Sequence, residues 1–186
     1  GLGDRIVGVD SFSDFPLEAR DKPRVGDAFT LNLEALVALE ADMVYTTWEG
    51  PVAAIERLDI KVLYLFAASD LQGVLDNIVL LGLITDREEK ARALVADMEA
   101  RINAVVDKLA VVEQGPRIFY ELDPSLFTVA PGTFIGNILE ILKVQNVAEG
   151  AGNLYPQLSS EVVVEKDPEV IVLGDSKEYL PTGITV

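Results

Sequence analysis

The chain contains no cysteine and no histidine. With neither thiolate nor imidazole available, disulfides, thiol nucleophiles, Ser-His-Asp triads and nearly every zinc site are excluded at once. A directly bound metal would have to rely on carboxylates or tyrosine. The missing cysteine fits an exported protein without disulfides as well as a cytosolic one, so it leaves the compartment open. Positive charge is also scarce, with 15 basic against 31 acidic residues and a formal charge of −16. Such a surface repels nucleic-acid phosphates and anionic membranes, and a large partner should instead present cationic patches. No stretch approaches the roughly 20 apolar residues of a membrane span. Phosphate-binding glycine patterns are absent as well. Gly1-Leu2-Gly3 precedes the first apolar run instead of following it, and Gly132, Gly136, Gly150 and Gly152 make no fingerprint.

What is present is enough apolar content for a real core: 49% hydrophobic residues in a chain of 186. That length allows one large domain or two small lobes. The stretch from Thr85 to Val112 has no Gly or Pro, and its apolar residues recur at Ala91, Leu94/Val95, Met98, Ile102, Val105/Val106 and Leu109. Thr85 and Glu88 have capping-box spacing, acidic residues crowd the first turn, and Gly115-Pro116 follows the end. One long helix of about 40 Å is expected here. A coiled-coil arm is the alternative, although there are too few clean heptads to favour it.

Similar α/β grammar lies on both sides. Before the long helix, strands are expected at Arg5–Val9, Met43–Thr46 and Lys61–Phe66, with helices after Asn32, from Pro51 to Leu58 and from Gly73 to Leu83. The loop of about 20 residues after Val9 is long enough to suggest function. After the long helix, strands are expected at Arg117–Glu121 and Glu169–Leu173, a short one at Leu126–Val129, and a helix at Phe134–Leu142. Alternation of strand and helix predicts parallel sheets covered by helices. The chain starts almost directly in a strand pattern and its tail, 176–186, adds no further strand-helix unit, so truncation of a larger fold at both ends is expected, with no signal segment in this sequence.

An internal repeat sharpens this organisation. Residues 31–47 and 158–174 superpose without gaps, matching Leu31 with Leu158, Glu34 with Glu161, Val37 with Val164, Asp42 with Glu169 and Val44 with Ile171. Asn32 or Ser159 caps each helix, and the glutamate stands at its second position. Taken singly, either glutamate is explained by favourable charge at a helix start, worth about 0.3–1 kcal/mol. Taken together they suggest a pair of equivalent surface marks.

The runs DRIVGVDSFSDFP, VGDAFTLNLEALVALEADMVY and YPQLSSEVVVEKDPEVIVLG, with the long helix between them, resemble the solute-binding proteins of ABC importers for cobalamin, haem or ferric siderophores. The cobalamin-binding type is the nearest match. That resemblance implies an α/β fold of two small lobes with mostly parallel sheets, joined by one long backbone helix, with the ligand held in the interlobe cleft. The implied divisions are residues 1–84, a linking helix over 85–113, and an incomplete second lobe over 114–186. It also implies that Glu34 and Glu161 dock the lobes onto permease arginines, contacts for which a bidentate Arg-carboxylate pair is suited. The location implied is periplasmic or extracellular, with or without a lipid anchor, and a monomer is expected.

Ligands of open α/β sheets sit beyond the C-terminal strand ends. The candidates there are Phe12, Phe15 and Trp48 in the first half, and Tyr120, Glu121, Phe134 and Tyr155 in the second. Stacked rings with a few polar groups suit a flat macrocycle. Each ring could equally fill a core edge; Trp48 leads the set as the only tryptophan, between a strand end and Gly50-Pro51. Phe15 stands where cobalamin-binding relatives are expected to have Tyr. Bare ferric ion is disfavoured for want of histidine and clustered tyrosine. Glu121 could touch a metal chelate or be an ordinary solvated carboxylate. No catalytic residue, resident cofactor or protein metal site is expected, the ligand itself being a cobalt- or iron-containing chelate. Two alternatives remain: a nucleotide-binding enzyme in which Asp10 grips a ribose, and a ligand-sensing module of a receptor.

Overall fold

The computed structural model describes residues 2–27 and 29–174. The tail over 176–186 lies outside them. The chain divides into two compact units, Gly1–Ala67 and Ala68–Val186.

In the first unit, Asn32 caps α1 (Leu33–Ala38) by accepting the Ala35 N–H at 2.9 Å. Strand β1 (Met43–Thr46) follows, then α2 (Val52–Glu56), which Pro51 precedes as expected of its fixed φ, then β2 (Lys61–Tyr64). The two strands pair in parallel, Met43 opposite Lys61 through Thr46 opposite Tyr64. The expected strand at Arg5–Val9 does not form. Gly3–Arg5 is a short 3-10 turn, and Val9 makes one isolated parallel bridge to Arg24. The run has strand composition, but the partner beside it is a loop that offers bonds only near Val9, so Ile6 and Val7 stay exposed. A strand needs a neighbour along its length, which composition does not supply.

The second unit opens with α3 (Leu71–Ile84), capped by Asp70 through the Gly73 N–H at 2.8 Å. The long helix, α4, runs from Glu88 to Lys108, or roughly 30 Å at the usual rise. Its expected start at Thr85 is corrected: Thr85 ends α3, its hydroxyl donating back to the Leu81 carbonyl at 2.6 Å. Asp86 then adopts a left-handed φ of 57° and the Arg87 N–H returns to the Gly82 carbonyl at 2.7 Å. The chain therefore reverses between two helices that pack on each other, and a side chain on Gly82 would overlap Ala91 across them. At the far end of α4, Lys143 Nζ donates to the carbonyls of Leu109 and Val112, both at 2.8 Å, which satisfies helix-end acceptors with a positive charge.

Beyond α4 come β3 (Arg117–Glu121), α5 (Phe134–Ile141), β4 (Gln145–Asn146), α6 (Ser160–Lys166) and β5 (Val170–Leu173). They build a parallel sheet in the order β4-β3-β5. Ile118, Val129 and Leu139 form its core, joined by Tyr120, Leu122, Ile135, Val144 and Val172. Each buried aliphatic side chain contributes roughly 1.5–3 kcal/mol. The short strand expected at Leu126–Val129 is not one. Leu126 has a left-handed φ of 64°, and only Phe127 bridges, antiparallel, to Gln157. The architecture is thus α/β, with parallel sheets in both units and one long helix.

The internal repeat survives in three dimensions. Beyond the matched caps and helix starts, Glu40 and Asp167 stand at equivalent positions and both take left-handed φ, 47° and 46°. Strands β1 and β5 then begin at equivalent residues, Met43 and Val170.

Candidate functional site

Parallel pairing places the C-terminal ends of β1 and β2 on one sheet edge, and each is followed within two residues by a ring, Trp48 and Phe66. Thr46 sets the first loop: its Oγ1 accepts the Trp48 N–H and donates to the Trp48 carbonyl, both at 3.0 Å. The Trp48 indole meets Phe29, with centroids 6.3 Å apart and planes tilted by 50°. Phe66 packs edge-on against Tyr64 at 6.5 Å.

Phe29 is held by a turn that the sequence dictates. Asp27 Oδ1 accepts the N–H groups of both Phe29 and Thr30 at 2.8 Å. Those two backbone bonds, with the Thr30 hydroxyl, hold the Asp27 carboxyl below its ordinary range. Gly26 precedes it at φ 90°, where a side chain would overlap the Thr30 carbonyl. The loop carrying Phe12 and Phe15 is organised by Arg24, whose Nη1 donates to the carbonyls of Asp10 and Ser13 at 2.5 and 2.7 Å. Asp10 itself closes a turn by accepting the Phe12 N–H at 2.8 Å, an internal role and not that of a ribose ligand.

All three rings proposed for this unit are exposed, Phe15 at 87% and Trp48 at 51%. Exposed rings mark an interaction site where they form a contiguous patch. Among the described residues the ring that meets Trp48 is Phe29, not Phe12 or Phe15. Phe29 and Phe66 were missed by sequence reading. Their signal was available, since both lie in loops already singled out as functional or as strand ends.

In the second unit Tyr120 is half-buried against the Ile118 cluster, and the Glu121 carbonyl accepts the Gly174 N–H at 2.7 Å. Phe134 begins α5 next to its cap, Thr133, whose Oγ1 accepts the Gly136 N–H at 2.9 Å. Tyr155, 55% exposed, rides on a segment tied to the loop before α5: Ala130 N–H to the Leu154 carbonyl and Thr128 N–H to the Pro156 carbonyl, both 2.9 Å. Structure thus joins the segments that carry Phe134 and Tyr155.

A cavity of about 410 Å³ lies among α3, α4 and α5, with Leu75, Ile102 and Ile141 as apolar lining and Asp70, Glu99 and Asn137 as polar lining. None of the candidate ligand-binding residues lines it. The loops at 47–51, 65–70, 122–133 and 147–159 contain Glu49, Asp70, Asp123 and Glu149 but no lysine or arginine, whereas the loop after Val9 holds Arg20, Lys22 and Arg24. Among the described residues no group of three or more acidic side chains gathers to hold a metal ion, and no helix is long and apolar enough to cross a membrane.

Glu34 and Glu161 are both exposed at the second position of their helices. Glu161's own backbone N–H, then the Ser159 hydroxyl, hold its carboxyl below the usual value.

A family model described as periplasmic binding protein matches residues 1–184. A cobalamin-binding protein of Halobacterium salinarum is 33% identical over 96% of this chain and 51% of its own length. The chain spans about half the length of the curated relatives of that kind it matches. Among solved structures, the periplasmic vitamin B12 binding protein BtuF of Vibrio cholerae superposes with a TM-score of 0.78 at 27% identity, over 93% of this chain and 69% of that one. The periplasmic haem-binding protein HutB of the same organism shares the fold with a TM-score of 0.77 at 24% identity, over 90% and 66%.

Proposed function

The chain belongs to the periplasmic binding protein family, and from that premise we propose that it is the ligand-capturing part of an extracytoplasmic solute-binding protein serving an ABC importer. Its cargo is a metal chelate: a corrinoid such as cobalamin, haem, or a ferric siderophore. The work is binding without chemistry, and no resident cofactor takes part.

The observation that carries this reading is the set of exposed rings in the first unit, Trp48 against Phe29 with Phe66, Phe12 and Phe15 also more than half exposed. Rings left in water at strand ends gain burial when a flat, apolar macrocycle covers them. Similarity to proteins named for cobalamin and vitamin B12 favours a corrinoid among the three. A corrin rim carries amides, whose N–H groups suit carboxylate acceptors. Delivery falls to Glu34 and Glu161, one in each copy of the repeat, as exposed acceptors for permease arginines.

Trp48 is the only tryptophan, so its emission reports on the site. Titration with cobalamin, haem and a ferric hydroxamate should quench it, cobalamin at the lowest concentration, and a flat response to all three would sink the reading. The double variant Glu34→Ala, Glu161→Ala should titrate like the parent yet support less uptake by the reconstituted importer. Failure of that variant to fold would return both glutamates to the role of helix-start charges.

A further inference from the structure

Gly50 lies against the Nε1 edge of the Trp48 indole. A Cβ added there would overlap Nε1 and stand 3.1 Å from Cδ1 and 3.2 Å from Cε2, inside the 3.5–4.0 Å of an ordinary carbon contact. Glycine is usually demanded by a left-handed backbone, but the positive-φ glycines among the described residues are Gly26, Gly132 and Gly150. The backbone at Gly50 would therefore accept alanine. The indole, in its present place, would not.

We propose that Gly50 is a specificity-determining position of the site: its bare Cα seats the Trp48 indole and so fixes the angle between Trp48 and Phe29 before any ligand arrives. This rests on the reading of Trp48 as a ligand-binding ring. Three supports converge on the pair from independent directions. Thr46 holds the backbone of Trp48 on both sides, Asp27 holds Phe29 through its turn, and Gly50 lies against the side chain of Trp48. Fixing rings in advance removes an ordering cost from binding, which raises affinity for a face that fits the preset wedge and gives nothing to one that does not. A similar seat recurs in the second unit, where a Cβ on Gly174 would lie 2.9 Å from Tyr120 Cε1 and 3.1 Å from its hydroxyl. That glycine also crowds the Glu121 carbonyl at 2.9 Å, so a substitution there would disturb the sheet as well. Gly50 is the cleaner test, because the atom that must yield belongs to a half-exposed side chain.

Gly50→Ala should melt with the parent's midpoint while its tryptophan emission shifts to the red and acrylamide quenching increases. Its calorimetric dissociation constant for the chelate bound by the parent should rise about tenfold. In a Trp48→Phe background, which removes the indole that the glycine seats, the same substitution should change affinity less than twofold, the signature of action through Trp48. Unchanged emission or unchanged affinity in Gly50→Ala overturns the proposal, as does an unfolded variant or an equal loss in the Trp48→Phe background. If the parent binds none of the three chelates, the functional reading fails, and the emission of Gly50→Ala still decides whether Gly50 seats the indole.

Discussion

The two copies of the internal repeat follow one local program and are held in place by different forces. Asn32 and Ser159 cap, Glu34 and Glu161 sit at the second helical position, Glu40 and Asp167 turn the chain left-handed, and β1 and β5 follow. In the first copy Leu36 points into the interior at 4% exposure. In the second, α6 buries no residue fully, and Val163, the equivalent of Leu36, is only half-buried. There Arg117 does the holding. Its Nε donates to the Asp167 carbonyl at 2.8 Å, its Nη2 meets the Asp167 carboxylate at 3.2 Å, and its Nη1 lies 3.4 Å from Glu169, which also accepts the Arg117 N–H at 3.0 Å. Lys61 pairs with Met43 as Ile118 pairs with Val170, so the equivalent of Arg117 in the first copy is Ile60, which has no charge to offer. Local geometry is set by caps and turns, while the attachment of the element to its sheet is free to be apolar or ionic.

The sharpest way to break this contrast is to remove the apolar anchor. Leu36→Ala should destabilise by about 2–5 kcal/mol, through lost transfer energy and the cavity left behind, and should lower the urea midpoint accordingly. Val163→Ala, at the equivalent position, should cost less, about 0.5–1.5 kcal/mol, because that side chain is only half-buried. Comparable losses at both positions would mean that the second copy also has an apolar anchor.

Next in size is the ionic clasp. Arg117→Ala removes a charge-assisted network whose members are partly exposed, so about 1–2 kcal/mol is expected, less than a buried network would cost. The loss should shrink in molar salt, whereas that of Leu36→Ala should not. A salt-independent loss would assign Arg117 a packing role through its aliphatic stem.

Signals carried by one residue and its immediate neighbours were legible in the sequence. Asn32 and Ser159 cap where expected, and β1 and β3 have the expected ends. What failed depended on partners far along the chain or on one unusual dihedral. Thr85 has capping-box spacing, yet Asp86 turns left-handed and Thr85 bonds backwards into α3. The two-residue strand Gln145–Asn146 is polar and exists because its amides bond to the carbonyls of Gly115 and Val129, at 2.9 and 2.8 Å. At the candidate site, strand-end position selected Trp48, but its partner Phe29 lies 19 residues earlier in a loop whose course is set by Gly26 and Asp27.

The smallest expected effect tests whether the two caps are chemically equivalent. Glu161 accepts from its own N–H and from the Ser159 hydroxyl, and its carboxyl is held below the ordinary value of 4.5. A depressed folded-state value stabilises the fold fully above about pH 4.5, and the contribution drains away as pH falls through the folded value. Only the acid limb of the stability curve is therefore affected. Ser159→Ala removes the hydroxyl but leaves the larger backbone contribution, so the Glu161 titration midpoint followed by NMR should rise part of the way toward 4.5. Losing the cap itself should cost up to about 1 kcal/mol at neutral pH. Ser159→Asn copies the first repeat: it keeps a good capping oxygen, so neutral-pH stability should be retained while the midpoint still rises. If the midpoint stayed put in both variants, the backbone alone would set the charge of Glu161, and the choice of serine over asparagine at the second cap would matter only to the helix.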